Sequence, residues 1–147
     1  MRVDFYHLEK SSLDTALPKL LEKAVLKHRI LIQTDMADRS DYLSGLLWTY
    51  DPDSFLPHGL EKDGFSEQQP VFITHKNDFN PSGADILVLI DGRPVPEDKD
   101  FNRVLYFFDG KDEEALQKAR AEWKRLKDKE VELFYWQQDE KGHWQQK

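Results

Sequence analysis

Short apolar runs alternate with longer amphipathic stretches along the chain. The apolar runs are typical of β-strands, and they cover residues 3–8, 29–34, 71–74, 85–90, 103–108 and 131–138. After Asp85, the unbroken apolar character of residues 86–90 suits a strand that is covered on both faces. A turn at residues 139–142 follows the last run and predicts that the chain closes in an edge strand or a hairpin.

The first amphipathic stretch predicts a helix that begins at a Ser11-Ser12 cap. Its apolar residues recur at the spacing of one helical face. Pro18 interrupts this pattern. It falls harmlessly in the first turn if the helix begins as late as Thr15 or Ala16, and otherwise it imposes a kink.

A second helix is predicted over residues 36–50, where Asp35 or Asp38 could cap it, and a third over about residues 112–127. Strands that alternate with helices imply a largely parallel sheet with helices on both sides. We therefore expect a three-layer α/β fold, Rossmann-like in its layers, in one domain that spans residues 1–147.

Composition and charge restrict the function. The chain has no cysteine and no apolar leader, and its longest apolar run is too short to cross a bilayer, so we expect a soluble cytoplasmic protein. The formal net charge of -7 argues against the basic surface that non-specific DNA binding requires. Any link to nucleic acid is expected to be indirect.

The usual catalytic patterns are missing from the sequence. The turn after the first strand, residues 9–13, contains no glycine and so resembles neither a P-loop nor a dinucleotide fingerprint. Ser44 beside Gly45 lies within a helical pattern rather than in a nucleophile elbow. The five histidines show no metal-ligand spacing. We predict no catalytic residue, no cofactor and no metal.

Asp91 supports the main rival interpretation, a nucleotide-dependent enzyme. It directly follows the strand at residues 85–90, and an aspartate at the carboxyl end of a strand can hold magnesium or act as a base. The simpler interpretation is a turn at Asp91-Gly92, because no phosphate loop or second carboxylate is near in sequence.

The third predicted helix gives the sharpest local signal. Its inward stripe consists of Leu116, Ala119, Trp123 and Leu126, and one flank carries Arg120, Lys124 and Lys127. The indole ring of Trp123 would then lie beside three cations. Such a site suits a peptide that ends in a hydrophobic residue with a free carboxylate and nearby acids, because the ring supplies apolar contact and the cations pair with the negative charges. From spacing alone, a core tryptophan with a solvated polar margin is the simpler interpretation.

A second candidate surface lies where the second helix runs into a proline-bounded loop. It comprises Trp48, Tyr50, Phe55, Leu56, Pro57 and His58. Exposed aromatic residues beside proline are common in protein interfaces, but the loop could equally fold back onto its own core. Direct single-strand binding through Trp48, Tyr50 and the basic helix is a third interpretation, which the net acidity opposes.

These segments resemble the chi subunit family of bacterial DNA polymerase III over nearly the whole chain. The matching residues are Phe5-Tyr6, Leu46-Leu47-Trp48, the loop at residues 54–58, the strand at residues 85–90, and Ala119-Arg120 with Trp123-Lys124. The block from Trp48 to the Phe-x-Pro-His loop is the most specific of them. The resemblance implies an accessory subunit that is not an enzyme, although its fold is similar to that of nucleotide-binding proteins.

The resemblance also implies two partners. One is the psi subunit, for which Trp48, Phe55, Leu56, Pro57 and His58 are the expected contacts, with Phe55 at their centre. The other is the acidic, phenylalanine-terminated tail of the single-stranded DNA-binding protein, for which the expected contacts are Arg120, Trp123, Lys124 and Lys127. A protein of this family bridges the clamp loader to coated single strands.

Overall fold

The computed structural model describes residues 1–54, 56–77, 79–97 and 101–147. Within these ranges the chain forms seven strands and three α-helices. In chain order they are β1 (Arg2–Leu8), α1 (Leu13–Ala24), β2 (Ile30–Gln33), α2 (Ala37–Thr49), β3 (Val71–Thr74), β4 (Ile86–Leu89), β5 (Arg103–Asp109), α3 (Glu113–Lys127), β6 (Glu132–Gln138) and β7 (Trp144–Gln146).

All strands belong to one sheet of order β3-β2-β4-β5-β1-β6-β7. Every pairing is parallel except that of β7, which runs antiparallel to β6. β1 lies between β5 and β6, with Phe5 in register with both Tyr106 and Tyr135. The mostly parallel sheet and the closing hairpin predicted from the sequence are confirmed.

The helices cover both faces of the sheet, which confirms the expected three-layer arrangement. On one face α1 and α2 bury Leu17, Leu21, Leu43 and Leu47 in a cluster with alternate strand residues. On the other face α3 packs through Ala119 and Leu126. Full burial of one such leucine stabilises the fold by about 1.5–3 kcal/mol. The burial of Ala119 and Leu126 against the sheet fixes which flank of α3 faces outward.

The predicted start of α1 is confirmed, whereas the predicted cap of α2 is wrong. Ser12 occupies the N-cap position of α1, so the alternative of a start as late as Thr15 or Ala16 is excluded. α1 begins at Leu13, so Pro18 is its sixth residue and lies beyond the first turn. Pro18 has no N–H to donate to the carbonyl of Asp14, but its ring is buried and contributes apolar contact. In α2 the N-cap position is Met36, without a side-chain hydrogen bond, so neither Asp35 nor Asp38 caps the helix.

The long segment between α2 and β3 is more ordered than its composition indicates. It contains two short 3₁₀ helices, Glu61–Asp63 and Ser66–Gln68. Gly59 pairs with Phe72 in an isolated parallel bridge, which attaches the segment to the edge strand β3. The segment therefore covers an edge that would otherwise present unpaired backbone groups.

Candidate peptide-docking site

The start of α3 is fixed by its cap. The Asp112 carboxylate accepts hydrogen bonds from the backbone N–H groups of Glu114, at 3.0 Å, and Ala115, at 3.4 Å. Aspartate is among the preferred N-cap residues because it satisfies amides that have no partner within the helix. The sequence prediction of a helix start near residue 112 is confirmed.

The far side of α3 is clamped to the segment between β4 and β5 by a buried carboxylate. Glu122 accepts the backbone N–H of Val95 at 2.5 Å and is held by Arg125 through Nε, at 2.6 Å, and a second guanidinium nitrogen, at 2.8 Å. Arg125 also donates to the Val95 carbonyl and to Glu97, both at 3.0 Å. The charge of Glu122 is therefore buried with its partners in place.

Glu122 was not among the residues predicted from the sequence. It lies three residues after Ala119 and four before Leu126, on the face that packs inward, and three residues before Arg125. A glutamate at an inward position with an arginine one turn later is the signal that could have found this clamp. Of the predicted inward stripe, Ala119 and Leu126 are buried, whereas Leu116 and Trp123 are only partly buried.

A pocket of about 240 Å³ opens between α3 and the end of the sheet. It is lined by Phe108, Leu116, Ala119, Arg120, Trp123 and Tyr135. Two residues of the predicted tail site, Arg120 and Trp123, therefore line the same pocket. The other two, Lys124 and Lys127, follow Arg120 on the same flank, about one and two turns further along α3.

The aromatic walls of the pocket hold each other in place. The Trp123 ring meets Phe5 edge-on at 5.3 Å and Tyr135 edge-on at 5.7 Å between ring centroids. Phe108 lies 6.3 Å from Tyr135. Edge-to-face pairs of this kind are favourable beyond the area they bury. Trp123 is thus both part of the packing and a wall that solvent reaches.

Tyr135 was also missed, because a tyrosine in a strand gives no signal of its position beside a helix far away in sequence. Its hydroxyl shares a hydrogen bond with Nδ1 of the buried His7 at 2.6 Å. Gly110 packs so closely on His7 that a Cβ there would lie 1.9 Å from the ring Nε2. Glycine at position 110 is therefore needed to leave room for the histidine that orients Tyr135.

Burial raises the pKa of the Tyr135 phenol, and the nearby Glu9 carboxylate adds to this effect. The Arg120 guanidinium acts in the opposite direction. The positive charge of Arg120 therefore acts on a residue that lines the pocket.

The three flank cations have no counter-charge among the residues that the structure describes. Arg120, Lys124 and Lys127 are exposed, and none of their side chains forms a hydrogen bond or ion pair with another residue in the described ranges. A cation that is free of a protein partner can bind an anion without first breaking an existing pair. The flank is thus a positively charged margin beside an aromatic pocket.

The second candidate surface divides into exposed and buried parts. Trp48 is 59% exposed and Pro57 is exposed, whereas Leu56 and His58 are buried. His58 shares hydrogen bonds with the Leu56 carbonyl, at 2.8 Å, and with the Ser44 hydroxyl, at 3.1 Å, and its ring lies 5.1 Å from that of Trp48. Phe55, the expected centre of this surface, lies outside the described residues.

The crevice at the carboxyl ends of the strands has a volume of about 410 Å³. Its Asp91 carboxylate accepts the backbone N–H of Asp35 at 2.9 Å and Arg39 Nε at 3.0 Å. These bonds tie Asp91 to the start of α2. No group of three or more potential metal-ligating side chains occurs among the residues that the structure describes.

Across the described parts of the chain, none of the helices has both the length and the apolar character that a membrane span requires.

The fold and this pocket together define a class: a doubly wound α/β protein with an exposed cationic flank beside an aromatic pocket. Comparison with protein families gives the particular assignment. Residues 1–134 match the family described as DNA polymerase III chi subunit, HolC, and the chain belongs to this family. Its members are accessory subunits of the replicative polymerase. A search of curated proteins gave no match.

The family match covers the cationic flank and the loop at residues 54–58, but it ends just before Tyr135. The wall that Tyr135 contributes to the pocket, and the hairpin that follows it, are therefore features of this chain that the match does not address.

Proposed function

We propose that the chain docks the acidic C-terminal tail of the single-stranded DNA-binding protein in the α3 pocket. Arg120 and Lys124 bind the terminal carboxylate, the terminal phenyl ring enters the pocket beside Trp123, and Lys127 meets an upstream acid. The observation that carries this proposal is the combination of three cations that lack a partner among the described residues with a pocket walled by aromatic rings.

The chemistry of the pocket supports this occupant. A guanidinium pairs with a carboxylate through two parallel hydrogen bonds, which fixes the orientation of a peptide end. Cavities of about 150 Å³ admit benzene, so a pocket of about 240 Å³ has room for one phenyl ring. Edge-on aromatic neighbours favour an incoming ring over an aliphatic one.

We further propose that Trp48 and the loop at residues 54–58 bind the psi subunit. Trp48 and Pro57 would make contacts directly because they are exposed, whereas the buried Leu56 and His58 would hold the loop in shape. α2 packs on β3 at one end of the sheet, and α3 packs on β5 and β6 towards the other. Their positions over different strands of the sheet support simultaneous occupation, as a linker requires.

This proposal makes the chain a non-catalytic linker between the clamp loader and coated single strands. Family membership supports an accessory role. We place this role in the cytoplasm because the sequence contains no cysteine.

Titration of a tail peptide by calorimetry tests the tail site. We expect Arg120→Ala to weaken binding about tenfold or more, because a hydrogen bond to a charged group contributes about 1.5–3 kcal/mol. Lys124→Glu should weaken binding as well, since it replaces attraction by repulsion. Unchanged affinity in both variants would remove the site assignment.

A pull-down with psi separates the two surfaces. Trp48→Ala should reduce psi capture and leave tail binding intact, and Arg120→Ala should do the reverse. A single variant that reduced both without lowering stability would show that the two surfaces are not independent.

The enzyme alternative has its own test. A ligand at 100 times its dissociation constant stabilises a fold by about 2.7 kcal/mol. We expect ATP, GTP and NAD to produce no thermal shift, because Asp91 is already bonded to Asp35 and Arg39. A shift that Asp91→Asn abolishes would support the nucleotide-dependent reading instead.

A further inference from the structure

The outward flank of α3 changes charge along its length. Residues spaced by four and three positions share this flank, and in order they are Glu113, Gln117, Arg120, Lys124 and Lys127. The flank is thus acidic before the pocket residue Arg120 and basic after it. The charges of the two terminal turns follow the same trend, with acids at the start of the helix and cations at the end.

Within the described ranges, Glu113 forms no ion pair with a cation. It accepts a hydrogen bond from the amide of Gln117 at 2.9 Å, which orients its carboxylate but leaves its charge in place. An acidic peptide laid towards the start of α3 would therefore approach a like charge. Laid towards the end of the helix, the same peptide would meet Lys124 and Lys127, which are exposed and have no partner in the described part of the chain.

We infer that the docked tail has one direction and one preferred spacing of its acids, an inference that rests on the proposed tail site. With the terminal carboxylate at Arg120, the preceding residues run towards the C-terminal end of α3. Because Lys124 shares the terminal carboxylate with Arg120, Lys127 is the cation left for an upstream acid. The ligand class is therefore a peptide with a hydrophobic C-terminal residue and an acid about three residues before it.

The preferred spacing follows from the rise per residue of the helix and the rise per residue of an extended peptide. Along a helix, Lys124 lies about 6 Å and Lys127 about 10 Å beyond Arg120. An extended peptide advances about 3.3 Å per residue. The residue two places before the peptide end is thus level with Lys124, and the residue three places before it is level with Lys127. An acid placed much further upstream lies past the last cation of the helix.

A positional scan tests this inference with the full-length protein. The probes are ten-residue peptides that end in Phe, with glycine and serine elsewhere and one aspartate placed two, three, five or seven residues before the end. The variants are Lys127→Gln and Glu113→Gln. Lys118→Gln is the matched control, because it removes the same charge from the opposite side of α3, where Lys118 lies near Glu114.

We expect the wild type to prefer the peptide whose aspartate lies three residues before the C-terminus. It should bind that peptide about two- to fivefold more tightly than the peptide whose aspartate lies seven residues before the C-terminus, as exposed ion pairs allow. Lys127→Gln should abolish that preference, and Lys118→Gln and Glu113→Gln should leave it intact. A preference that responds to Glu113→Gln but not to Lys127→Gln would reverse the direction. Equal affinity at all places would overturn the inference.

The scan also separates this inference from the proposed function. If the peptides bind and Arg120→Ala weakens them, but no place is preferred, the tail site stands and the assigned direction is wrong. If no peptide ending in Phe binds the wild type, the tail site fails and the direction fails with it.

Discussion

The two flanks of α3 carry cations that look alike in sequence and differ entirely in their surroundings. Arg125 donates to Glu122, Glu97 and the Val95 carbonyl, so most of its N–H donors are already used within the fold. Arg120, five residues earlier, has no hydrogen bond or ion pair among the described residues and lines an open pocket. The difference shows that a cation of α3 is engaged within the fold where a carboxylate lies on its side of the helix and stays exposed where none does.

The largest expected effect comes from removing the structural cation. Arg125→Ala leaves the buried Glu122 carboxylate without its main counter-charge, so we expect the free energy of unfolding to fall by about 2 kcal/mol. This loss of stability is smaller than for a fully buried ion pair because solvent reaches Arg125. Urea unfolding measures it. Lys124→Ala, on the other flank, is the control and should change stability by less than about 0.5 kcal/mol. Equal losses in the two variants would contradict the comparison.

A smaller effect is expected at the pocket wall. Tyr135→Phe removes the hydroxyl that bonds His7 and should cost about 1 kcal/mol of stability in urea unfolding. The matched control is Tyr42→Phe, which loses a hydroxyl donated to Asp14 at an exposed site and should cost less. If Tyr42→Phe proved the more damaging change, the His7–Tyr135 bond would not be what fixes the wall.

Salt should distinguish the two flanks. The screening length falls from about 10 Å at 0.1 M to about 3 Å at 1 M, so exposed cations lose most of their reach. We expect tail affinity, measured by fluorescence titration, to fall about fivefold over this range. The stability cost of Arg125→Ala should change little, because its partner Glu122 is buried. Salt-independent tail binding would show that the flank cations are not used.

The smallest expected effect is on a pKa inside the pocket. Arg120 lowers the pKa of Tyr135, against the larger effect of burial. Arg120→Ala should therefore raise the pKa of Tyr135, which a carbon NMR titration of the tyrosine ring would follow. Lys118→Gln serves as the control and should leave that pKa unchanged. A pKa of Tyr135 that fell in the Arg120 variant would show that the guanidinium does not face the pocket.

Much of the fold was predictable because the sheet is buried on both faces. β3 was predicted with its observed bounds, and β4 within one residue at each end, since a short apolar run bounded by polar or turn residues is typical of a buried strand. The start of α3 was predictable from Asp112, whose cap is a local feature. The start of α2 was not, because Met36 occupies the N-cap position without any capping side chain.

The site was predictable where its residues share one helix and not where they come together from distant segments. Arg120 and Trp123 lie three residues apart, so helical spacing alone places them together. Tyr135 and Phe108 join them through the pairing of β1 with β5 and β6, which no local pattern encodes. The sequence also did not show whether Arg120 forms an ion pair within the fold. That depends on the nearby Glu122, which faces the other flank and pairs with Arg125.

The most direct test of the account combines Arg120→Ala with a change in the peptide. An acidic peptide ending in Phe is titrated with a free carboxylate and with a C-terminal amide, against the wild type and Arg120→Ala. If the guanidinium holds the carboxylate, amidation weakens wild-type binding about tenfold and has little further effect on the variant. If amidation weakens both proteins equally, the carboxylate is bound elsewhere and the central claim is wrong.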